Sequence, residues 1–202
     1  MDTNVSLSSI PLSDSDRLLQ SWGYDLVGEY ATIAGQIPVS HNPVIELATG
    51  TGRMCAVLSF IFPVILSGDI SLNDLAKTMN RLPRQHTDRL SFIQMDMERL
   101  PFRTDSIRTI VCMNTMHEVA SPMRCLQEMI RVLHPEGRLI VGDFNQTGFD
   151  MMQKVHQTVY HNDHTTGSMS MQEVEQNIRS SFKDVQIQST PLNITVFAYG
   201  KK

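Results

Sequence analysis

The stretch that decides the fold runs from Val44 to Arg53 and reads VIELATGTGR. An apolar run leads into two closely spaced glycines, Gly50 and Gly52, and a helical pattern begins immediately after them. Glycines at such a turn let the backbone bend sharply and approach a ligand closely, and the start of the helix offers free N–H groups. The stretch predicts a strand, a tight turn and a helix; the turn either binds a ligand or is only a connection.

Two familiar nucleotide-binding motifs do not fit this turn. A phosphate-binding P-loop needs a lysine and a hydroxyl residue after its second glycine, where the chain has Arg53 and Met54. A dinucleotide-binding fingerprint needs a third glycine at the position of Cys55, and Glu46 would repel a pyrophosphate. A carboxylate at the end of this strand suits a ligand that carries an amine or another cation.

Acidic residues also follow the next two predicted strands. Asp69 comes about 20 positions after Gly50, where an acidic residue in an open doubly wound sheet binds ribose hydroxyls. The alternative role is a helix cap, which Ser71 can fill instead. Asp96 follows the third strand, where it would lie beside a base. Together with Glu46, these positions predict a ligand that has a ribose, a base edge and a positive group.

Short apolar runs alternate with helical patterns through the middle of the chain, which indicates an α/β fold built from parallel units. Two further runs, 184–187 and 194–199, are too close in sequence for a crossover helix and are expected to pair antiparallel. The other predicted strands span 43–48, 64–68, 90–95, 107–113 and 138–144, and the helices span 53–60, 72–81, 122–133, 151–161 and 170–181.

Composition narrows the class of protein. The 202 residues fit one domain, and 41% hydrophobic residues are enough to bury a core. A net charge of −4 argues against sequence-independent binding to nucleic acid or anionic lipid. The three dispersed cysteines suit a reducing compartment. The chain starts without a secretory pattern and no apolar run is long enough to span a bilayer, so we expect a cytoplasmic protein.

These features resemble the class I S-adenosylmethionine-dependent methyltransferases, and among them the small-molecule group that includes the quinone-biosynthesis enzymes. The resemblance covers residues 43–144, through ELATGTGR, LSGDIS, MDMERLPF, DSIRTIVCMNTMHEV and MRCLQEMIRVLHPEGRLIVGDF. It implies a doubly wound, Rossmann-like sheet of seven strands, mostly parallel, with an antiparallel C-terminal strand. It also implies S-adenosyl-L-methionine as the cofactor and a small-molecule acceptor, with no nucleic-acid partner and an open oligomeric state.

The resemblance assigns residues to the cofactor. Ala48 stands where the family most often has its first glycine, and residues 134–137 (HPEG) replace the family's usual Lys-Pro-Gly-Gly turn. The methionine part is expected to lie against Glu46, Ala48, Gly50 and Gly52, the ribose against Asp69 with Ile70, the adenine against Asp96 and Met97, and the methionyl end against the backbone of Asn114.

The segment NTMHEV faces the transfer point in this family, so His117 and Glu118 are the candidates for a general base or an acceptor contact. The alternative for His117 is a hydrogen-bonded histidine that caps the next helix. His156 and Tyr160 are further candidates for acceptor contact. The nearby histidines do not share one helical face, so we predict no metal site.

In related enzymes the segment before the sheet folds over the cofactor as a lid. We expect residues 1–36 to form a frayed tail up to residue 13 and then a helical lid, with Gly23 as the candidate division between two helices, ahead of a methyltransferase domain at 37–202. Tyr24 or Tyr30 is then expected to contact the cofactor or acceptor. The alternative is a permanent outer layer.

The leading function is methyl transfer to a small molecule. The alternative is a non-catalytic protein that binds S-adenosylmethionine or S-adenosylhomocysteine as a regulator or scaffold.

Overall fold

The structure, a computed structural model, describes residues 7–40, 42–164, 166–167 and 169–202. Its centre is one sheet whose strands lie in the order β3-β2-β1-β4-β5-β7-β6. The strands are β1 (Val44–Leu47), β2 (Ile65–Asp69), β3 (Leu90–Gln94), β4 (Ile107–Met113), β5 (Leu133–Phe144), β6 (Phe182–Ser189) and β7 (Asn193–Lys201).

The direction of the strands confirms the predicted fold class. Strands β1 to β5 run parallel, and β7 lies antiparallel between β5 and β6. All four residues of β1 are buried, because helices cover both faces of this central strand. From β1 the chain proceeds to β2 and β3 on one side, and then returns to β4 and β5 on the other. The sheet is therefore doubly wound, with a topological switch point between β1 and β4.

Helices cover the two faces of the sheet and form two cores. One core packs the N-terminal helices and the helix after β1 against residues such as Val111 and Ile140. The other packs the helices that follow β4 and precede β6 against Ile110 and Val141. The helices are α1 (Asp14–Ser21), α2 (Leu26–Ala34), α3 (Arg53–Ile61), α4 (Leu72–Met79), α5 (Pro122–Val132), α6 (Gln146–Val155) and α7 (Met171–Ser181), with a 3₁₀-helix at Arg84–Arg89 and a π-helix at His156–Tyr160.

The N-terminal segment forms two helices, as the glycine between them predicted. Gly23 has a φ of +89°, a conformation that favours glycine and separates α1 from α2. Leu19 and Ile33 are fully buried in the first core. The predicted frayed tail is wrong for Ile10, which is 3% exposed and packs in the same core, whereas residues 1–6 lie outside the described part of the chain.

The boundary between α5 and β5 differs from the sequence prediction. Leu133 already pairs with Ile107 of β4, and residues 134–137 bulge out before pairing resumes at Arg138. The predicted turn is thus a bulge inside β5, and α5 ends at Val132.

The helix after β5 begins earlier than predicted. The Asn145 side chain accepts a hydrogen bond from the Gly148 N–H over 2.9 Å, and this N-cap starts α6 at Gln146. The predicted continuous helix over 151–161 is therefore α6 followed by the π-helical turn.

Within the described residues, no helix is both long enough and apolar enough to cross a bilayer.

Candidate functional site

A cavity of about 790 Å³ opens at the carboxyl ends of β1 to β4. It lies at the topological switch point, where ligands bind in open α/β sheets. Among the described residues that line it, acidic side chains outnumber lysine and arginine. The acidic ones are Glu46, Asp69, Asp96, Glu98 and Glu118, and the basic ones are Arg53 and Lys77. This excess of carboxylates favours a ligand with positive charge.

The glycine turn forms one wall of the cavity. Ala48, Gly50 and Gly52 all have positive φ angles, of 56°, 51° and 77°. A Cβ built on Gly50 would have no neighbour closer than 4.0 Å, so the turn is open towards the cavity at this point. A Cβ on Gly52 would instead lie 2.8 Å from Cα of Thr78 in α4. Gly52 therefore allows two helices to pack closely, and it does not line the cavity with Ala48 and Gly50.

Glu46, at the end of β1, is 2% exposed and reaches the cavity wall. Its carboxylate accepts hydrogen bonds from the Thr49 hydroxyl over 3.0 Å and from Ser67. Burial raises the pKa of Glu46 to about 7, because the hydrogen bonds from Ser67 and Thr49 offset only part of the cost of desolvation. A cation in the cavity would favour the ionised carboxylate.

Asp69 joins the glycine turn to the end of β2. Its Oδ2 accepts a hydrogen bond from the Gly50 N–H, and its Oδ1 accepts one from the Ser71 N–H, both over 2.8 Å. Each carboxylate oxygen keeps a further lone pair for a ligand. The neighbouring Ile70 is 68% exposed at the rim of the cavity.

The loop after β3 supplies the opposite end of the cavity. Asp96 is exposed there, and its Oδ1 accepts a hydrogen bond from the Glu98 N–H over 2.8 Å. Met97 is 7% exposed and contributes an apolar surface beside it. The carboxylate of Asp96 suits the edge of a base, and the apolar side chain of Met97 suits its face.

Asn114 follows β4 with a φ of 52°, and its amide Nδ2 donates to the hydroxyl of Tyr30 over 2.8 Å. Its buried Oδ1 has no hydrogen-bond partner in the described part of the chain, although both residues line the cavity. Burial raises the pKa of Tyr30 well above its ordinary value. Tyr24, in contrast, packs against the first core and is not a lining residue.

His117 is buried beneath the cavity rather than in its wall. Its Nδ1 lies 2.6 Å from Oδ1 of Asp143 in β5, and its backbone N–H donates to Oδ2 of the same carboxylate. Burial alone would lower the pKa of His117, but the hydrogen bond to Asp143 and the nearby carboxylate of Glu118 outweigh it and raise the pKa to about 9. Because His117 does not line the cavity, the geometry does not place its ring in direct contact with an acceptor. Glu118 lines the cavity instead.

The other predicted acceptor contacts, His156 and Tyr160, lie at the π-helical turn and line the cavity. His164, one of the nearby histidines to which the sequence analysis gave no role, is 7% exposed, and its ring centroid lies 5.0 Å from that of His117. Burial lowers the pKa of His164 to about 4, and the neighbouring His117 and His156 add to the effect.

Comparison with known proteins agrees with this geometry. The family described as "Methyltransferase domain" matches residues 38–193. The chain belongs to this methyltransferase domain family. A demethylmenaquinone methyltransferase of Clavibacter sepedonicus is 30% identical over 148 residues, which are 70% of this chain and 60% of that protein. The ubiquinone/menaquinone biosynthesis C-methyltransferase UbiE of Proteus mirabilis is 29% identical over 144 residues, which are 68% of this chain and 57% of that protein.

The chain thus spans about three-fifths of the length of these curated relatives. Among solved structures, an S-adenosylmethionine-dependent methyltransferase from Mesorhizobium loti superposes with a TM-score of 0.60 at 14% identity. That match covers 85% of this chain and 97% of the other, and at this identity it shows the shared fold alone.

Proposed function

We propose that this protein transfers a methyl group from S-adenosyl-L-methionine to a small-molecule acceptor. The observation that carries the proposal is the placement of three carboxylates, those of Glu46, Asp69 and Asp96, around an open glycine turn at the switch point. The turn and the carboxylates match a ligand that has a positive amino acid end, a ribose and a base. Membership of the methyltransferase domain family supports this assignment.

The residues present fit the cofactor. The unpartnered Oδ1 of Asn114, taken over the described chain, offers an acceptor for a donor group on a ligand, and the space over Gly50 admits a close approach. Asp69 would hold the ribose, Asp96 and Met97 the adenine, and Glu46 the amine side. S-adenosylmethionine supplies a methyl group already activated on a sulfonium, so the protein has to align the acceptor and exclude water.

The acceptor side of the cavity begins beyond Asn114. Met113, Phe144 and Met152 give it apolar walls, and Glu118 and His156 give it polar contacts. The relatives from Clavibacter sepedonicus and Proteus mirabilis are named for demethylmenaquinone and for ubiquinone/menaquinone biosynthesis. We therefore propose a hydroxylated aromatic ring of the quinol class as the acceptor, with Glu118 in contact with it and with no nucleic-acid substrate.

Thermal unfolding tests the cofactor. We expect S-adenosylhomocysteine to raise the melting temperature, because a ligand that binds only the native state adds about 2.7 kcal/mol of stability at one hundred times its Kd. NAD at the same concentration is the control and should cause no shift. A shift with NAD and none with S-adenosylhomocysteine would overturn the assignment.

Turnover separates the enzyme from the non-catalytic alternative. Labelled S-adenosylmethionine is incubated with the protein and a panel of aromatic quinols or a metabolite extract, and a labelled product is expected. Binding of the cofactor without label transfer to any acceptor would support a regulatory or scaffold protein instead.

The three cysteines, Cys55, Cys112 and Cys125, are free and buried. Burial raises the pKa of each thiol and keeps it protonated. This use of cysteine supports a reducing compartment, and we place the protein in the cytoplasm as part of the proposal.

We also propose that residues 14–36 act as a lid over the methyltransferase domain at 37–202. Tyr30 touches Asn114, and Ser15 of α1 lines the cavity, so ligand contacts would stabilise both N-terminal helices. Hydrogen exchange of these amides should slow when S-adenosylhomocysteine is added. Helix α7 packs in the second core and serves as the internal control, with unchanged exchange. Equal protection of residues 14–36 in both states would mean a permanent layer and structural aromatics.

A further inference from the structure

A cluster of three potential metal ligands lies at the acceptor end of the cavity. His117, Glu118 and His164 each offer one ligand atom, and these atoms lie within 4.8 Å of one another. Glu118 and His164 line the cavity, and His117 lies directly behind them. None of the three is among the residues that the proposed function assigns to the cofactor.

Both imidazoles have a buried nitrogen that lacks a hydrogen bond. Over the residues that the structure describes, neither Nε2 of His117 nor Nδ1 of His164 has a hydrogen-bond partner. Oε1 of Glu118 lies 3.5 Å from Nε2 of His117. Buried polar nitrogens are rarely left without a partner, because their desolvation is then uncompensated. The pair therefore points to a ligand that binds between them.

A second carboxylate fixes the orientation of His117. Asp143 accepts from both Nδ1 and the backbone N–H of this residue, which directs Nε2 away from β5 and towards Glu118. Histidines that bind metals almost always donate their other ring N–H to a carboxylate or a carbonyl in this way. A histidine that only capped a helix would not need this orientation.

The loop that carries His164 is packed closely over His117. A Cβ built on Gly167 would lie 2.2 Å from the carbonyl oxygen of His117, so only a glycine permits this approach. His164 is further anchored by its backbone N–H, which donates to Oε1 of Gln153 over 2.8 Å. The two histidines are thus brought together by local packing from well-separated parts of the chain.

We propose that His117, Glu118 and His164 bind a divalent transition metal ion of the zinc type. Two imidazole nitrogens and one carboxylate oxygen are a common ligand set for catalytic zinc, which keeps a further position open. Ligand bonds of about 2.1 Å require the three atoms to draw slightly closer. The Glu118 side chain is 56% exposed and is free to make this movement.

The open coordination position would face the cavity, because two of the three ligands line it. This part of the inference rests on the proposed function. A hydroxyl oxygen of the acceptor would bind the metal there. Metal binding would lower the pKa of that hydroxyl group and favour its nucleophilic anion. Such a site would select acceptors that carry a hydroxyl group next to the methylated position.

Calorimetric titration of metal-free protein with Zn²⁺ tests the site. One Zn²⁺ per chain should bind to the unaltered protein, and both Glu118→Gln and His164→Gln should weaken binding at least about tenfold. His134→Gln and Glu136→Gln, which lie in the β5 bulge far from the cavity, are the matched controls and should bind Zn²⁺ as tightly as the unaltered chain.

The thermal shift with S-adenosylhomocysteine is measured on the same metal-free samples. It reports the proposed cofactor site separately, so a failure of the metal site and a failure of the proposed function are distinguishable. Absence of Zn²⁺ binding would overturn the inference. Equal affinity in Glu118→Gln, His164→Gln and the controls would overturn it as well.

Discussion

Replacing Asp16 with alanine is expected to lower the free energy of unfolding by about 3–5 kcal/mol. The Asp16 side chain is 2% exposed and pairs with two guanidinium groups, with 2.8 Å between its Oδ1 and Nε of Arg53. Its Oδ2 pairs with Arg81, which is 5% exposed. Without the carboxylate, two positive groups would remain close together and largely out of water. Urea unfolding, with the slope m compared between variants, measures the loss.

Asp14→Ala is the matched control for this prediction. Asp14 pairs with Arg17 in the same helix over 2.6 Å, but their side chains are 76% and 60% exposed. A surface pair of this kind contributes less than about 1 kcal/mol. Equal effects of the two substitutions would show that the buried network adds nothing beyond a surface pair.

The same network predicts how stability depends on pH. Burial alone would raise the pKa of Asp16, but Arg53 and Arg81 outweigh burial and lower it from 3.8 to about 2. The folded state therefore favours the ionised carboxylate, and this stabilisation is present above pH 3.8. It is lost as the pH falls towards 2, and its full size is about 2 kcal/mol. Asp16→Ala should remove this part of the acid dependence.

The central sheet was predictable because its signal is local. Apolar runs such as residues 44–47 and 109–113 are buried on both faces of the sheet, and the helical patterns between the strands require parallel crossovers. The bulge at residues 134–137 (HPEG) was missed because a turn and a bulge use the same residue types. Only the pairing of Leu133 with Ile107 distinguishes them.

The cofactor end of the site could also be predicted from local sequence, since Glu46, Gly50 and Asp69 lie at or just after the ends of consecutive strands. The acceptor end depends on contacts between residues that are distant in sequence, so it could not be predicted in the same way. His117 depends on Asp143, and His164 reaches it from a loop that has no regular pattern. A signal for Asp143 does exist in the sequence, because a carboxylate inside the apolar strand RLIVGDF requires a buried partner. The sequence does not say which partner that is.

The buried ion pairs of Asp16 with Arg53 and Arg81 could not be predicted from the sequence. Asp16 was part of a predicted helix start, and its capping box with Ser13 agrees with that role. Its ion pairs join it to the residue after the glycine turn and to Arg81, which are distant in sequence. A sequence contains many acidic and basic residues that could pair, and their positions along the chain do not indicate which of them come together in the fold.

Asp69→Ala is expected to weaken the binding of S-adenosylhomocysteine at least about tenfold. A carboxylate that accepts hydrogen bonds from ribose hydroxyls contributes about 1.5–3 kcal/mol for each bond. The substitution also removes the acceptors of the Gly50 and Ser71 N–H groups, so the glycine turn loses support. Isothermal titration gives the affinity, and thermal unfolding of the free protein shows how much of the loss is structural.

Asp184→Ala is the control for this experiment, because Asp184 is exposed on β6 at the far edge of the sheet. It should leave both affinity and stability unchanged. Asp69→Asn keeps one oxygen acceptor but loses the charge, so its affinity should lie between those of Asp69→Ala and the unaltered protein. If Asp69→Ala lowered the melting temperature but bound S-adenosylhomocysteine with full affinity, the carboxylate would serve only to fix the turn. The acidic ends of β1 and β2 would then no longer support a ribose-containing cofactor.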